Sequence, residues 1–350
     1  MSVRTRTHSK NRSGIDILII SSAPLRFSLN GGGSDLPSYF HRFVGSVVSI
    51  PLDKRVYVTL HESFTGQYRI AYSKIEYCAN ISEIQHPIVA ACLQYVDWAG
   101  PGLEITSIAD VPSTGTGLGS SSAFTVALLA GLLRLQKREI SARSLAEMAC
   151  EVEIQILKSP IGYQDQYASA LGGLNVFHFS GESGVQHSSV FDSKELELEF
   201  VHQLNSELMF FHIDQPRSAN EILARQQQWL MDEISAVEST HKMVGLASES
   251  VEAIRLMDIP RLGSLLTDGW RLKSFLNGDK SDPLLGGLLK WASEGPIYGA
   301  KLLGAGGGGF LAVLASSQKH AEIREQLKCF KEYHANTEIR GPIVEEHGHS

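Results

Sequence analysis

Cysteine is scarce in this 350-residue sequence, and its four copies are scattered along the chain. Cys78, Cys92, Cys150 and Cys329 form no CxxC pair and have no histidine at ligand spacing, so they predict neither a metal site nor a disulfide framework. We expect buried free thiols in a reducing compartment instead, which favours the cytoplasm.

Long apolar runs and an excess of basic charge are also lacking. No stretch approaches the roughly 18 to 20 consecutive apolar residues that span a bilayer, so no membrane partner is expected. The 31 Lys and Arg residues are outnumbered by 38 Asp and Glu residues, and the formal net charge is -7. Because binding of a nucleic-acid backbone needs a concentrated basic face, no nucleic-acid partner is expected either.

Both ends of the chain are polar. Residues 1–14 mix four basic side chains with Ser, Thr and Asn before any hydrophobic period begins, which predicts a flexible basic tail. A targeting segment is the alternative, although the apolar stretch of a secretory signal is missing. The histidine-rich residues 345–349 predict a frayed terminus rather than a metal-binding string.

The rest of the sequence has the composition of a globular protein, with 43% hydrophobic residues and 32 glycines. Residues 15–22 predict a strand followed by a loop from residue 23, and further strands are predicted at 44–50 and 56–60, separated by residues 51–54. The polar residues 180–192 indicate a domain junction. We therefore predict an N-terminal domain over 15–190 and a C-terminal domain over 191–350.

The strongest local signal is a glycine- and serine-rich loop, residues 112–122, that precedes a helix hydrophobic on nearly every side. A helix N-terminus offers unpaired N–H groups, and glycines let the backbone approach a polyphosphate. The lysine of a Walker loop is absent after Gly119, and the GxGxxG pattern is absent too. An ordinary serine-capped helix is the alternative interpretation.

A second signal is the segment from Gly162 to Gln166, which follows a predicted helix carrying Glu153. Phosphoryl transfer to a hydroxyl needs a carboxylate that orients the acceptor, a metal ligand and cationic charge. Asp165 and Glu153 have the right chemistry for the first two roles. Glu153 lies off the apolar stripe of its helix, so a solvated carboxylate is the alternative.

Two more glycine clusters occur at residues 304–309, between two predicted strands, and at residues 31–33, shortly after Arg26. Such clusters indicate close backbone approach or positive φ angles. A tight turn would explain each of them equally well.

Together these segments resemble, in order and spacing, the three motifs of the GHMP kinases, a family of small-molecule kinases. Residues 23–35 resemble the first motif, residues 112–123 the second and residues 301–309 the third. Within the family the sequence looks most similar to D-glycero-D-manno-heptose 7-phosphate kinases, on residues 31–37, 160–167 and 172–173 and on Trp270-x-Leu-Lys273. Tyr163, where a lysine is expected, and residues 214–216 depart from that pattern.

The resemblance implies an α+β fold of two domains, an N-terminal domain like the ribosomal protein S5 domain 2 and a C-terminal ferredoxin-like domain. It also implies site residues. Asp165 would orient the acceptor hydroxyl or act as its base, Arg26 would stabilise the γ-phosphate, and Ser121 and Glu153 would hold Mg²⁺. The residues expected to bind ATP are Pro112, Gly115, Thr116, Gly117, Leu118, Gly119, Ser120, Ser121, Ser122, Gly306 and Gly307. The residues expected to bind the acceptor are Gly32, Gly33, Ser34, Asp35, Arg217 and Gly308.

The implied activity is a transferase reaction of carbohydrate metabolism, in which ATP and Mg²⁺ phosphorylate the anomeric hydroxyl of a sugar phosphate, with a heptose 7-phosphate favoured. An anomeric kinase for fucose or an amino sugar is the nearest alternative. A catalytically silent sugar and ATP sensor of the same fold is another, but Asp165, Glu153 and Ser121 are all present. The sequence leaves the oligomeric state open, with a homodimer as the candidate.

Overall fold

The computed structural model describes residues 17–112, 116–214, 219–277, 282–304, 306 and 308–348. The predicted tail and the predicted site residues Gly115, Arg217 and Gly307 lie outside these described residues. The strands are β1 (Ile17–Asn30), β2 (Gly45–Glu62), β3 (Tyr68–Ala71), β4 (Ile75–Cys78), β5 (Leu103–Ala109), β6 (Asn175–Ser180), β7 (Gly184–Ser189), β8 (Leu208–Ile213), β9 (Gly299–Leu302), β10 (Gly309–Leu314), β11 (Lys331–Glu332) and β12 (Ile343–Gly348).

The helices alternate with these strands in a mixed order. They are α1 (Pro37–Phe40), α2 (Pro87–Tyr95), α3 (Ser120–Leu135), α4 (Ala142–Cys150), α5 (Gln164–Leu171), α6 (Lys194–Glu207), α7 (Ala219–Asp232), α8 (Ile234–Arg255), α9 (Ile259–Asn277), α10 (Pro283–Glu294) and α11 (His320–Gln326). A π-helix, Glu151–Ile156, continues α4, and short 3₁₀ turns occupy Ile81–Glu83 and Ser317–Lys319. The predicted α+β class is confirmed.

The larger sheet has eight strands, and its main path runs β12-β1-β2-β5-β3-β4, with β6 and β7 attached to β2. Strand β1 does not end in a loop at residue 23, as the sequence predicted, because it stays paired with β2 as far as Asn30. Shifts of register next to Pro24 and between Ser28 and Asn30 accommodate the irregular residues. The two strands predicted on either side of residues 51–54 are one strand, which runs unbroken from Gly45 to Glu62.

The smaller sheet is antiparallel, with the order β11-β8-β10-β9. Apolar side chains alternate along β8 and β10 and pack with α9 and α10 in one cluster, in which Trp270 is 2% exposed. This four-stranded antiparallel unit agrees with the ferredoxin-like domain expected for the second half.

Helix α3 is the buried helix that the sequence predicted. Its side chains from Ser122 to Leu129 are all buried, and the helix packs against β1 and β2. Because apolar groups surround it, its N-terminus is fixed at the end of the larger sheet, next to the strand that carries Arg26.

The predicted junction at residues 180–192 contains β7, which forms a hairpin with β6. The predicted frayed end is also wrong for residues 345–348, because they belong to β12, which pairs with β1 through six residues of the larger sheet. The largest apolar cluster includes side chains from both sides of residue 190, such as Phe27 and Phe210. Neither the hairpin nor this cluster marks a boundary between residues 190 and 191, so the division into two domains at that point stays a prediction.

Within the part of the chain that the structure describes, none of the helices has the length and apolarity needed to cross a bilayer.

Candidate active site

The N-terminus of α3 has the geometry that suits an anion. Gly119 precedes the helix with a φ of 75°, in the left-handed region, and no side chain caps the helix there. The ordinary serine cap is therefore not the arrangement found, because serines occupy the first helical positions and glycine the cap. Free N–H groups and the positive end of the helix dipole face the space in front of Ser120.

The second and third glycine motifs touch each other. Gly117 and Gly304 both have positive φ angles, and a β-carbon on Gly304 would collide with the Cα of Gly117. A β-carbon on Gly117 would in turn collide with the carbonyl of Leu303. The glycines are thus needed for close approach of two backbones, one from each half of the chain.

Arg26 and Asp165 form a bidentate ion pair beside this contact. The guanidinium donates from Nε to Oδ1 at 2.7 Å and from Nη2 to Oδ2 at 2.8 Å. Nη1 donates to the carbonyl of Gly117 at 2.6 Å. The Arg26 side chain is 5% exposed and that of Asp165 is 23% exposed, so the carboxylate keeps an open side. The two predicted catalytic residues are therefore adjacent, and they adjoin the glycine loop.

Glu153 is buried at 1% exposure, because the helix changes from α to π geometry at Glu151 and turns this side chain inward. The hydroxyl of Ser121 donates to its Oε1 at 2.7 Å, and Nε2 of Gln166 donates to its Oε2 at 2.7 Å. Burial raises the pKa of Glu153, and the hydrogen bonds from these neutral donors oppose the rise.

A magnesium ion fits this pair of residues. Mg²⁺ prefers oxygen ligands and usually takes only one or two from protein, with water and phosphate oxygens completing the shell. A hydroxyl and a buried carboxylate at the helix N-terminus supply such a set. Within the described residues no group of three or more His, Cys, Asp or Glu side chains could hold a metal by itself.

Asp35 lines the same cleft as Arg26 and Asp165 and is 2% exposed. Its Oδ1 accepts from the N–H of Gly33 at 2.8 Å and from Nε2 of Gln164 at 3.2 Å, and its Oδ2 accepts from the N–H of Gln164 at 3.2 Å. Burial is the largest effect on the pKa of Asp35 and raises it; Asp165 raises it further, while these N–H groups and Lys273 lower it.

A cleft joins these groups. It is lined by Arg26, Ser28, Gly33, Asp35, Leu36, Ile161, Gly162, Gln164, Asp165, Leu223, Lys273, Lys301 and Gly304. Two buried polar atoms in its wall, Oγ of Ser28 and Oε1 of Gln164, have no hydrogen-bond partner within the described residues. Such atoms suit an acceptor that brings hydroxyl groups of its own.

The other predicted residues are placed around this cleft. Ser34 is buried beneath it, and its hydroxyl donates to the carbonyls of Gly31 and Ser46, so it supports the glycine loop rather than lining the cleft. Thr116, Leu118 and Ser122 are buried beside the helix N-terminus, where the carbonyl of Leu118 accepts from the N–H of Arg26. The remaining predicted residues within the described part of the chain are Pro112, Gly32, Gly306 and Gly308. None of them takes part in the hydrogen bonds given above.

Two lysines of the cleft received no role from the sequence. The ammonium of Lys301 donates to the carbonyls of Ser28 and Leu29 at 2.8 and 2.7 Å, and burial lowers its pKa well below the usual range. The ammonium of Lys273 donates to the carbonyl of Gly304 at 2.6 Å. Gln164 and Gln166 were missed in the same way. Their only signal was their place inside the motifs, since an amide or ammonium carries no periodic pattern.

A helix N-terminus, an ion-paired carboxylate, a hydroxyl and carboxylate suited to a metal ion, and a polar cleft are the groups that nucleotide-dependent phosphoryl transfer needs. A sequence model of the GHMP kinases N terminal domain matches residues 86–173, and one of the GHMP kinases C terminal domain matches residues 250–332. The chain belongs to the GHMP kinases, and ATP is the phosphoryl donor of this kinase family. The family predicted from the three motifs is confirmed.

Known proteins similar to the chain include kinases of sugars. It is 25% identical over 321 residues to a D-glycero-alpha-D-manno-heptose 7-phosphate kinase of Campylobacter jejuni, covering 89% of this chain and 93% of that protein. It is also 25% identical to a bifunctional fucokinase/GDP-fucose pyrophosphorylase of Arabidopsis thaliana, of which it spans only 31%. The crystal structure of a D-glycero-D-manno-heptose 1-phosphate kinase from Bacteroides thetaiotaomicron shares the fold, with a TM-score of 0.75, 22% identity, and coverage of 93% of this chain and 98% of that one.

Proposed function

We propose that this protein transfers the γ-phosphate of ATP, with Mg²⁺, to the anomeric hydroxyl of a sugar phosphate, and that D-glycero-D-manno-heptose 7-phosphate is the preferred acceptor. The observation that carries the proposal is the position of the Arg26–Asp165 pair, between the open N-terminus of α3 and a cleft lined by Asp35 and Gln164. The substrate named for the Campylobacter jejuni relative supports the choice of sugar.

In this proposal Asp165 orients the attacking hydroxyl, and Arg26 holds that carboxylate in place. Catalysis of an in-line transfer is mostly positioning and stabilisation of charge, so a fixed carboxylate next to a cation and a helix N-terminus can suffice. Ser121 and Glu153 would hold the Mg²⁺, whose role is to neutralise charge on the nucleotide phosphates. Asp35 and Gln164 would bind hydroxyl groups of the sugar.

Fucose is the second candidate acceptor, and one observation favours it. An apolar pocket adjoins the acceptor cleft and shares Gly33, Leu36 and Lys273 with it; Trp229, Leu230 and Met243 are among its other lining residues. Such a pocket suits the methyl group of a 6-deoxy sugar better than a phosphate. Arg217, expected to bind a distal phosphate, lies outside the described residues.

The test is a panel of sugars and sugar phosphates incubated with ATP and Mg²⁺, followed by ADP release and by phosphorus NMR of the product. We expect D-glycero-D-manno-heptose 7-phosphate to give the fastest turnover and a new phosphate signal coupled to the anomeric proton. Faster turnover of fucose would favour the second candidate. Binding of ATP and sugar with no transfer to any acceptor would support the silent sensor and reject the proposal.

We also propose that the enzyme works in the cytoplasm. Three of its cysteines, Cys78, Cys92 and Cys150, are buried free thiols, which suits a reducing compartment. Whether it forms the expected homodimer is measurable by light scattering.

A further inference from the structure

Lys273 is the one cation of the acceptor cleft, among the described residues, that comes from a helix of the second half of the chain. It lies on α9, one turn after Trp270, which is packed in the core of the smaller sheet. Because the helix is anchored there, the lysine side chain is directed across the cleft towards the glycine loops. Its Nζ donates to the carbonyl of Gly304 at 2.6 Å.

The carbonyl that Lys273 holds lies where the two glycine loops meet. Gly304 abuts Gly117, and the carbonyl of Gly117 accepts from Nη1 of Arg26 at 2.6 Å. Arg26 and Lys273 therefore each hold a carbonyl of the two loops that meet here, one cation from each half of the chain. Both loops adjoin the N-terminus of α3, where the nucleotide phosphates are expected.

Lys273 also acts on the charges of the cleft. Burial is the main effect on the pKa values of Asp35 and Lys301, and Lys273 lowers both of them. Its positive charge is thus felt by the carboxylate on the acceptor side and by the cation beside β1.

From this geometry we propose that Lys273 is a catalytic cation, which contacts the transferring phosphoryl group from the side of the Gly304 loop. An ammonium keeps its full charge while it donates to a carbonyl, so the bond to Gly304 does not prevent Lys273 from contacting a phosphoryl oxygen. The inference deepens the proposed function, but it depends only on phosphoryl transfer and not on which sugar is used.

In the transfer, the acceptor oxygen forms a bond to the γ-phosphorus, and the bond from that phosphorus to the bridging oxygen breaks, with its electron pair leaving on ADP. The acceptor proton passes to solvent by way of Asp165. Negative charge moves onto the bridging oxygen and stays spread over the three γ-oxygens. Lys273 remains charged and stabilises this distribution by its positive charge.

The test compares Lys273→Met, Lys273→Gln and Lys273→Arg with the wild-type protein. Loss of one group that stabilises the charge of a transition state costs about 10²- to 10³-fold in turnover, and we expect a fall of that size for Met and Gln, with ADP affinity within about threefold of wild type. Arg is expected to recover most of the turnover. Arg271→Met is the control. Arg271 is an exposed cation on the same helix and is paired with Asp268, so its loss should leave turnover unchanged.

A second measurement separates catalysis from simple support of the loop. The complex of ADP, aluminium fluoride and acceptor resembles the transferring state, and calorimetry gives its affinity beside that of ADP alone. We expect Lys273→Met to lose affinity for the fluoride complex in proportion to turnover while it keeps its affinity for ADP. Equal losses for ADP and for the complex, or turnover within about threefold of wild type, would overturn the inference.

Failure of the inference differs visibly from failure of the proposed function. The slow hydrolysis of ATP, with water as acceptor, is measured on the same variants. If the wild-type protein phosphorylates no sugar of the panel, the proposed function fails, and the hydrolysis rates and the affinity for ADP with aluminium fluoride still decide the role of Lys273.

Discussion

Asp165 is held by two hydrogen bonds from one guanidinium, and this arrangement determines what the carboxylate can do. Because Arg26 fixes both oxygens, the carboxylate has a defined orientation relative to the N-terminus of α3. An acceptor hydroxyl approaching its open side would be aimed at a phosphate bound there. Orientation of the acceptor is therefore the main role that the geometry favours for this residue.

The variant Asp165→Asn tests that role. The amide keeps one acceptor oxygen but turns an NH₂ group towards the Arg26 guanidinium, so the acceptor is misplaced while the helix N-terminus is unchanged. We expect turnover to fall at least about a hundredfold, with nucleotide affinity within a few fold. Steady-state kinetics and ADP calorimetry measure the two effects. Asp268→Asn, at an exposed ion pair, is the matched control, and equal losses in turnover and affinity would count against the role.

Burial of the Glu153 carboxylate lowers the stability of the folded protein. The direction in which this effect changes with pH follows from the shift of its pKa. Burial raises the pKa of Glu153 above its unfolded value, so the folded state binds this proton more tightly than the unfolded state. The corresponding stability is present below the unfolded pKa, which is about 4.3 for glutamate, and is lost as pH rises through the folded pKa. Above the folded pKa the protein therefore keeps a buried carboxylate at the expense of stability.

We predict that Glu153→Gln melts higher than wild type at about pH 8 and that the difference disappears towards about pH 4, by the linkage above. A gain of about 1 kcal/mol corresponds to roughly 2 to 4 °C. Oε1 of Gln166 has no partner now, so a flip of that amide would satisfy the new side chain. Calorimetry over this pH range measures the effect, with Glu147→Gln on the exposed face of α4 as control. A lower melting temperature at pH 8 would contradict the prediction.

At the scale of elements, the sequence predicted those features that leave a mark in neighbouring residues. The glycine and serine spacing indicated the open end of α3, because a buried helix and its glycine cap leave local marks. With 3.6 residues per turn, Glu153 would lie off the apolar stripe of its helix, as the sequence predicted. The π-helix at residues 151–156 breaks that assumption and buries the side chain.

Long-range pairing explains the other misses. The loop predicted from residue 23 is strand because β2 supplies partners as far as Asn30, and the end at residues 343–348 is strand because β1 does. Neither partner is visible in a local window of sequence. Lys273 and Gln164 could not be assigned roles for the same reason, because their contacts join segments far apart in the chain.

The contact between the two glycine loops gives a prediction at this scale. Gly304→Ala places a β-carbon against Gly117 and forces an L-residue to a φ of 78°, which costs about 1 to 2 kcal/mol. Because the collision displaces the loop that precedes α3, we also expect ATP affinity to fall at least about tenfold, or about 1.4 kcal/mol.

Gly287→Ala is the control for this loop variant. Gly287 lies in α10 with nothing near its missing β-carbon, so alanine should stabilise the helix by about 0.5 to 1 kcal/mol and leave ATP binding unchanged. Thermal melting and ATP calorimetry measure both variants. An unchanged ATP affinity in Gly304→Ala would show that the loops do not depend on each other.

At the scale of the whole molecule, the C-terminal segment ties the two halves of the chain together. Arg55 of β2 is 4% exposed and donates to Glu338 at 2.8 Å and to the carbonyl of Gly341 at 2.7 Å. Burial lowers the pKa of Arg55, and Glu338 opposes that effect. Beyond this clamp, β12 pairs with β1, the strand that carries Arg26. The segment after the smaller sheet thus completes the larger one.

We therefore predict that both halves unfold in one transition and that removal of residues 343–350 lowers the stability of both. The loss of the β12 pairing should cost about 2 kcal/mol or more, or roughly 4 to 8 °C in melting temperature. It also exposes the edge of β1 to intermolecular pairing, so aggregation above the melting temperature should increase. Removal of residues 1–14, the predicted tail, is the matched control and should leave the melting temperature unchanged.

Two buried tryptophans report on the halves separately. Trp98 lies in the first half at 8% exposure, and Trp270 lies in the second half at 2%. Variants that keep only one of them, with the remaining tryptophans changed to Phe, allow fluorescence melting of each half. Because the largest apolar cluster crosses residue 190, we expect coincident transitions in the full chain and a common shift after removal of β12. A shift confined to the Trp98 signal would mean that the halves unfold independently and that β12 stabilises only its own sheet.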